Sequence, residues 1–147
     1  MATRNAVWLL VMGLLLSLGG ARAGDAEDAK KKAERISSYV NLAETISRVG
    51  IQVGAMLDKN PYDRALYQYA KELGALHAKA ILKLTPPEGA EDLHSKFKEA
   101  VTEFALMADA LCSGDFPAAR KHREACGRDF GRALLEVVKL RKEGAIP

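Results

Sequence analysis

The chain is 147 residues long, 48% apolar and 28% charged, with a formal charge of +3, two cysteines and five prolines. That length holds at most one domain, too short for a barrel or doubly wound enzyme of ordinary size, and the apolar content excludes disorder. The same figures exclude collagen-like, coiled-coil-only and disulfide-framework chains.

Residues 1–23 carry the three parts of an export signal. Arg4 lies in a short basic start, an apolar run of 13 residues follows from Ala6 to Leu18, and the small residues Ala21 and Ala23 precede Gly24. The run is shorter than the ~20 residues a membrane-spanning helix needs, so the mature chain, 24–147, is expected to have no membrane span. The expected location is the periplasm or the extracellular space. Cleavage removes Arg4 and Arg22 but no acid. Most of the basic excess leaves with them, and with it any case for nucleic acid.

Downstream, a period near 3.6 and plentiful Ala, Leu, Lys and Glu predict helix throughout. Three breaks divide the chain: Asp58-Lys59-Asn60-Pro61, Thr85-Pro86-Pro87-Glu88 and Cys112-Ser113-Gly114-Asp115. Asn60, Thr85 and Asp115 are the expected N-caps, and Gly114 the expected helix stop. The predicted helices are about 26–57, 61–84, 87–111 and 116–143. Their apolar stripes are Ile36–Val40–Ala43–Ile46–Gly50–Val53–Leu57, Tyr62–Leu66–Tyr69–Leu73–Leu76–Ala80, Leu93–Phe97–Val101–Phe104–Ala108–Leu111 and Ala119–Cys126–Phe130–Ala133–Val137–Leu140. One-sided stripes joined by short loops imply an all-α, antiparallel up-down-up-down four-helix bundle behind a cleavable signal peptide.

The third helix is acidic and the fourth basic, which suggests mutual screening between neighbours more than a surface for an anionic partner. Gly50–Gly54 and Gly127–Gly131 have GxxxG spacing, read as close backbone approach or, alternatively, room for a ligand in the core.

Two clusters are candidate metal sites. His77 falls in the stripe of the second helix, and reflection through the following turn puts His94 at its level, with Glu91 three residues before His94. Imidazole plus carboxylate suits Zn, Fe or Cu, although a di-iron bundle needs two such pairs. The alternative set is His122, Cys126 and Met107, a soft donor set for Cu(I) that requires Cys126 as a thiol. Against this, an oxidising compartment favours a Cys112–Cys126 disulfide. Geometry resists that pairing, because Cys126 lies about 16 Å along its helix from Asp115. Cys112 comes within bonding range only if the third helix stops before it and residues 112–115 run back along the fourth.

Haem attachment through C-x-x-C-H fails, since Cys126-Gly127-Arg128-Asp129 lacks the second Cys and the His. Cytochromes of the b562 type take Met from the first helix and His from the last. The counterparts here are Met56, at the very end of its helix, and His122, a likeness of architecture alone. No G-x-S-x-G, Walker A, H-E-x-x-H or G-x-G-x-x-G motif occurs, and Glu99 and Glu103 look like a solvated face. Tyr62 and Tyr69 are expected in the core. Tyr67 points roughly 160° from Tyr69 and is the expected interface residue. The sequence thus predicts a non-catalytic exported bundle that binds a protein or envelope component, with no cofactor expected. The alternative is a metal- or haem-binding bundle.

Overall fold

The computed structural model describes the backbone of residues 3–146 and the side chains of residues 24–146. Four helices follow one another: α1 (Thr3–Lys59), α2 (Arg64–Lys83), α3 (Glu91–Ser113) and α4 (Phe116–Lys142), with no strand among the described residues. The expected leader, residues 1–23, falls outside the described side chains. Helix α1 starts well before Ala26, because nothing in Gly24-Asp25 supplies a stop. No helix among the described residues is long and apolar enough to cross a membrane.

The break between α3 and α4 is punctuated as the sequence predicts. Gly114 takes the left-handed conformation (φ 78°) that only glycine adopts cheaply. The Asp115 N–H then bonds back to the Ala110 carbonyl at 2.9 Å, and its carboxylate accepts from the Ala118 N–H at 3.0 Å. Gly144 (φ 70°) repeats the device at the end of α4, with Ala145 N–H on the Leu140 carbonyl, and the tail turns Ile146 into the core.

The other two caps differ from expectation. Both the backbone N–H and the side-chain amide of Asn60 bond to the Met56 carbonyl at 3.0 Å, so Asn60 closes α1 instead of opening α2. Asp63 caps α2 three residues later, accepting from the Leu66 N–H at 3.0 Å. Thr85 does not cap α3. Successive prolines hold the preceding residues out of the helical region, and the helix begins only at Glu91, with Ala90 as a cap without a side-chain bond.

The stripes of α1, α3 and α4 form one apolar core. All seven α1 positions are buried, as are all six on α4 and all of α3's except the half-buried Leu111. Phe97 and Phe130 meet at its centre with ring centroids 6.2 Å apart.

Helix α2 is turned away from the predicted stripe. It buries Leu66, Tyr67, Ala70, Gly74 and Ile81, whereas Tyr62 (87% exposed), Tyr69 (51%) and Leu76 (63%) stand in solvent. Two contacts set this rotation. An added Cβ at Gly74 would lie 2.9 Å from the Ala105 Cα, so α2 and α3 approach there as closely as backbones allow. Tyr67 is swept inward with its hydroxyl donating to the Pro61 carbonyl. The GxxxG glycines do not have this role. A Cβ at Gly54, Gly127 or Gly131 would meet nothing within 4 Å, and one at Gly50 only the Phe130 ring edge at 3.7 Å.

Ion pairs link the helices in an order the charge pattern did not give. Arg123 and Arg141 of α4 pair with Asp58 and Glu44 of α1. Acidic α3 instead sends Asp109 to Lys71 of α2 and offers α4 only the Glu103–His122 contact. Basic α4 is thus screened by its own Glu124, Asp129 and Glu136 and by α1, more than by α3.

Candidate functional site

The first predicted cluster is not gathered at one point. His77 is half-buried on α2, where burial lowers its pKa. His94 turns to α1, its Nδ1 2.6 Å from the Tyr39 hydroxyl and the two rings 5.9 Å apart. Burial first, then the nearby Lys98 charge, depress the pKa of His94, while burial pushes Tyr39 up to about 12. Glu91 is exposed and accepts from the Gly89 N–H at 2.9 Å, so it serves the turn before α3.

The second cluster is rearranged. His122 Nδ1 lies 2.8 Å from Glu103 Oε2, both side chains about a quarter exposed. Glu103 is therefore a partner of His122 and no part of a solvated face. It stands one helical turn before Met107, the residue that reflection through the α3–α4 turn selects. Cys126, one turn beyond His122, is buried. Its thiol is pushed up to about 12, by desolvation first and then by the Glu103 and Asp129 carboxylates. Met107 is buried and lines a cavity whose wall includes neither His122 nor Cys126. Among the described residues, no three His, Cys, Asp or Glu side chains gather where they could hold one metal ion.

Cys112 and Cys126 are not in the geometry of the expected disulfide, the first being exposed and the second buried. Because α3 runs on to Ser113, Cys112 cannot turn back along α4, and the distance along α4 stands unbridged. Met56 is half-exposed at the surface of α1, and His122 is engaged by Glu103. Tyr67, expected to face outward, is only 6% exposed.

Two features that sequence reasoning did not place are apolar. The first is the stripe through Tyr69, Leu73, Leu76 and Ala80, a real periodic signal on a face that α3 does not cover. Opposite it on α1 run Leu42, Val49 and Met56, and all of these are partly or largely exposed. Toward the α2–α3 turn, a groove of about 850 Å³ opens between α1 and that turn, with Tyr39, Leu42, Leu84 and Pro86 in its wall beside the charged Lys31, Glu34, Arg35 and Glu88.

The second is a cavity of about 250 Å³ at the opposite end, beneath the α1–α2 and α3–α4 turns. Its wall is built from Gly54, Leu57, Tyr67, Met107, Leu111 and Phe116, with Arg120 and the Asp58–Arg123 pair also lining it. The fork of Arg123 engages both oxygens of Asp58, holding the Asp58 carboxyl below the usual carboxylate range. The GxxxG spacing at Gly54 was the one sequence signal for this space. Compared with protein-family models, curated proteins and solved structures, the chain matches none of them.

Proposed function

We propose that this chain is an exported, non-catalytic bundle that binds another protein through the face shared by α1 and α2. The observation that carries this reading is the second apolar stripe of α2. Tyr69, Leu73, Leu76 and Ala80 form a periodic seam of the kind that normally faces a core, yet Tyr69 and Leu76 are more than half exposed. Leu42, Val49 and Met56 continue it on α1, and no charged residue interrupts either row. Charge depletion with Tyr, Met and Leu is the composition of interface cores, and contiguous solvent-exposed apolar rows are a mark of interaction sites.

An antiparallel up-down-up-down order is part of the same proposal. It is supported by the partners of Glu44 and Asp58, which lie at Arg141 and Arg123, so that α4 recedes as α1 advances. Export rests on the leader read in residues 1–23, and amino-terminal sequencing of the chain recovered from cells is expected to begin at Gly24.

The test of partner binding places a photo-crosslinking side chain at Leu76 and, as a control, at exposed Arg128 on α4. A discrete adduct from position 76 that is missing from 128 and abolished by Leu42→Glu supports the reading. Indistinguishable patterns from the two positions overturn it.

A further inference from the structure

We propose that the cavity beneath the α1–α2 and α3–α4 turns is a binding site for a small molecule with an apolar, single-ring or short-chain body and one carboxylate. This goes beyond partner binding, and the residues concerned lie at the other end of the molecule from the groove beside the α2–α3 turn.

The space is not a packing slip of one methyl group. At about 250 Å³ it exceeds the ~150 Å³ of an apolar protein cavity known to take up benzene, and lies just below the ~300 Å³ where drug-sized sites begin. All four helices contribute to it, and the vacancy beside Gly54, where a Cβ would touch nothing within 4 Å, gives it depth. Half-exposed Phe116 sits at the rim and leaves a route in.

The chemistry of the wall selects the ligand. Leu57, Met107, Leu111 and Phe116 offer no strong hydrogen-bonding groups, and the Tyr67 hydroxyl is already spent on the Pro61 carbonyl. A sugar or nucleotide would leave its polar groups unpaired there, at a cost that excludes it.

The charged lining points to an anion. Asp58 and Arg123 neutralise each other through a two-point contact. Arg120 has a single partner, Glu124, one turn along the same helix at 3.3 Å, in a pair that is mostly exposed and therefore weak. The Arg120 side chain is 84% exposed, so its guanidinium can leave that contact and swing over the mouth of the cavity to make a two-point bond to a ligand carboxylate.

The test is a nuclear magnetic resonance titration of the ¹⁵N-labelled chain with 4-phenylbutyrate and with uncharged 4-phenylbutan-1-ol. The chain is expected to bind 4-phenylbutyrate, a ligand this small, with a Kd of about 0.1–1 mM and saturable shifts of the Gly54 and Ala119 amides. Gly54→Leu, which fills the space, is expected to weaken both compounds more than about tenfold, and Gly54→Ala by less. Arg120→Gln is expected to weaken the acid about fivefold and leave the alcohol unchanged. Spectra of α3 residues far from the cavity report whether each variant is folded, and the Gly54→Ala and Arg120→Gln arms decide the matter even if Gly54→Leu does not fold. The proposal is overturned if neither amide shifts at about 10 mM ligand, if the Gly54 variants bind as well as the parent, or if Arg120→Gln affects acid and alcohol alike.

Discussion

Replacing Gly74 by alanine sets two opposing effects against each other. Alanine is the better helix former, by about 1 kcal/mol in a helix interior. At this site, however, the new Cβ would sit 2.9 Å from the Ala105 Cα, 3.2 Å from the Phe104 ring and 3.4 Å from the Ala105 Cβ. The first contact is backbone, in the helix that packs most closely on its neighbours, so it cannot yield as the tip of a side chain would. Overpacking of this kind costs about 1–3 kcal/mol, which leaves Gly74→Ala destabilised by about 1 kcal/mol after the propensity gain.

Gly54→Ala is the matched control, since its Cβ meets nothing and only the propensity gain of up to about 1 kcal/mol remains. The two variants should therefore differ by about 2 kcal/mol. With a urea m-value of about 1.5 kcal/mol/M, that separates their unfolding midpoints by roughly 1.3 M, the parent lying between. Chemical denaturation followed by circular dichroism measures this directly. A Gly74→Ala midpoint at or above that of the parent would refute the close approach of α2 and α3.

Thiol labelling under native conditions at pH 8 is expected to modify Cys112 quickly and Cys126 only on unfolding, because burial both shields the Cys126 sulfur and raises its pKa; intact mass of the non-reduced chain should show no loss of two hydrogens. His77 and His94 both have lowered pKa values, so the unfolded chain binds more protons. Their contribution to stability is complete above the ordinary histidine pKa of about 6.5 and falls as pH drops through the depressed values. Urea midpoints should decline from pH 7.5 to 5.5, and the His77→Asn/His94→Asn double variant should lose most of that slope. Asp58→Asn, at a half-exposed pair, is expected to cost less than about 1 kcal/mol at neutral pH, with the difference vanishing once acid protonates Asp58 in the parent. Phe97→Ala, at a fully buried centre of the core, should cost about 3–5 kcal/mol by the same denaturation assay.

Three of the four apolar stripes were readable from spacing because α1, α3 and α4 each have one apolar side. Helix α2 has two. Leu66, Ala70, Gly74 and Ile81 make one row, and Tyr69, Leu73, Leu76 and Ala80 make another. The larger side chains of the second row make it the stronger periodic signal. What decides between them is the fit of Gly74 against Ala105, a relation between distant segments that local spacing does not encode. The same turn of the helix converted Tyr67 from an expected surface residue into a core one. The Glu103–His122 contact escaped for a related reason: reflecting positions through a turn assumes that both helices leave it symmetrically, and here the offset is one helical turn. The disulfide expectation rested on compartment, which carries no distances. Of the Gly50–Gly54 pair only Gly54 borders open space, as the alternative reading of that spacing had it, while the close approach expected of the pair is made by Gly74.

The contacts that hold α1 have a dynamic consequence. Close backbone approaches are concentrated between α3 and α4 and between α2 and α3, whereas the backbone of α1 comes that near to few points, mainly on α2. Its apolar stripe is buried in the shared core, and its polar attachments, Lys32 to Glu88, Tyr39 to His94, Asp58 to Arg123 and Glu44 to Arg141, span 55 to 97 residues of sequence. Such ties form late, because each must first close a long loop of chain, and they are the first to be surrendered in a partial opening. The last three helices are expected to act as a nucleus to which the first docks, with amide protons along α1 exchanging with solvent sooner than those at the centre of α3.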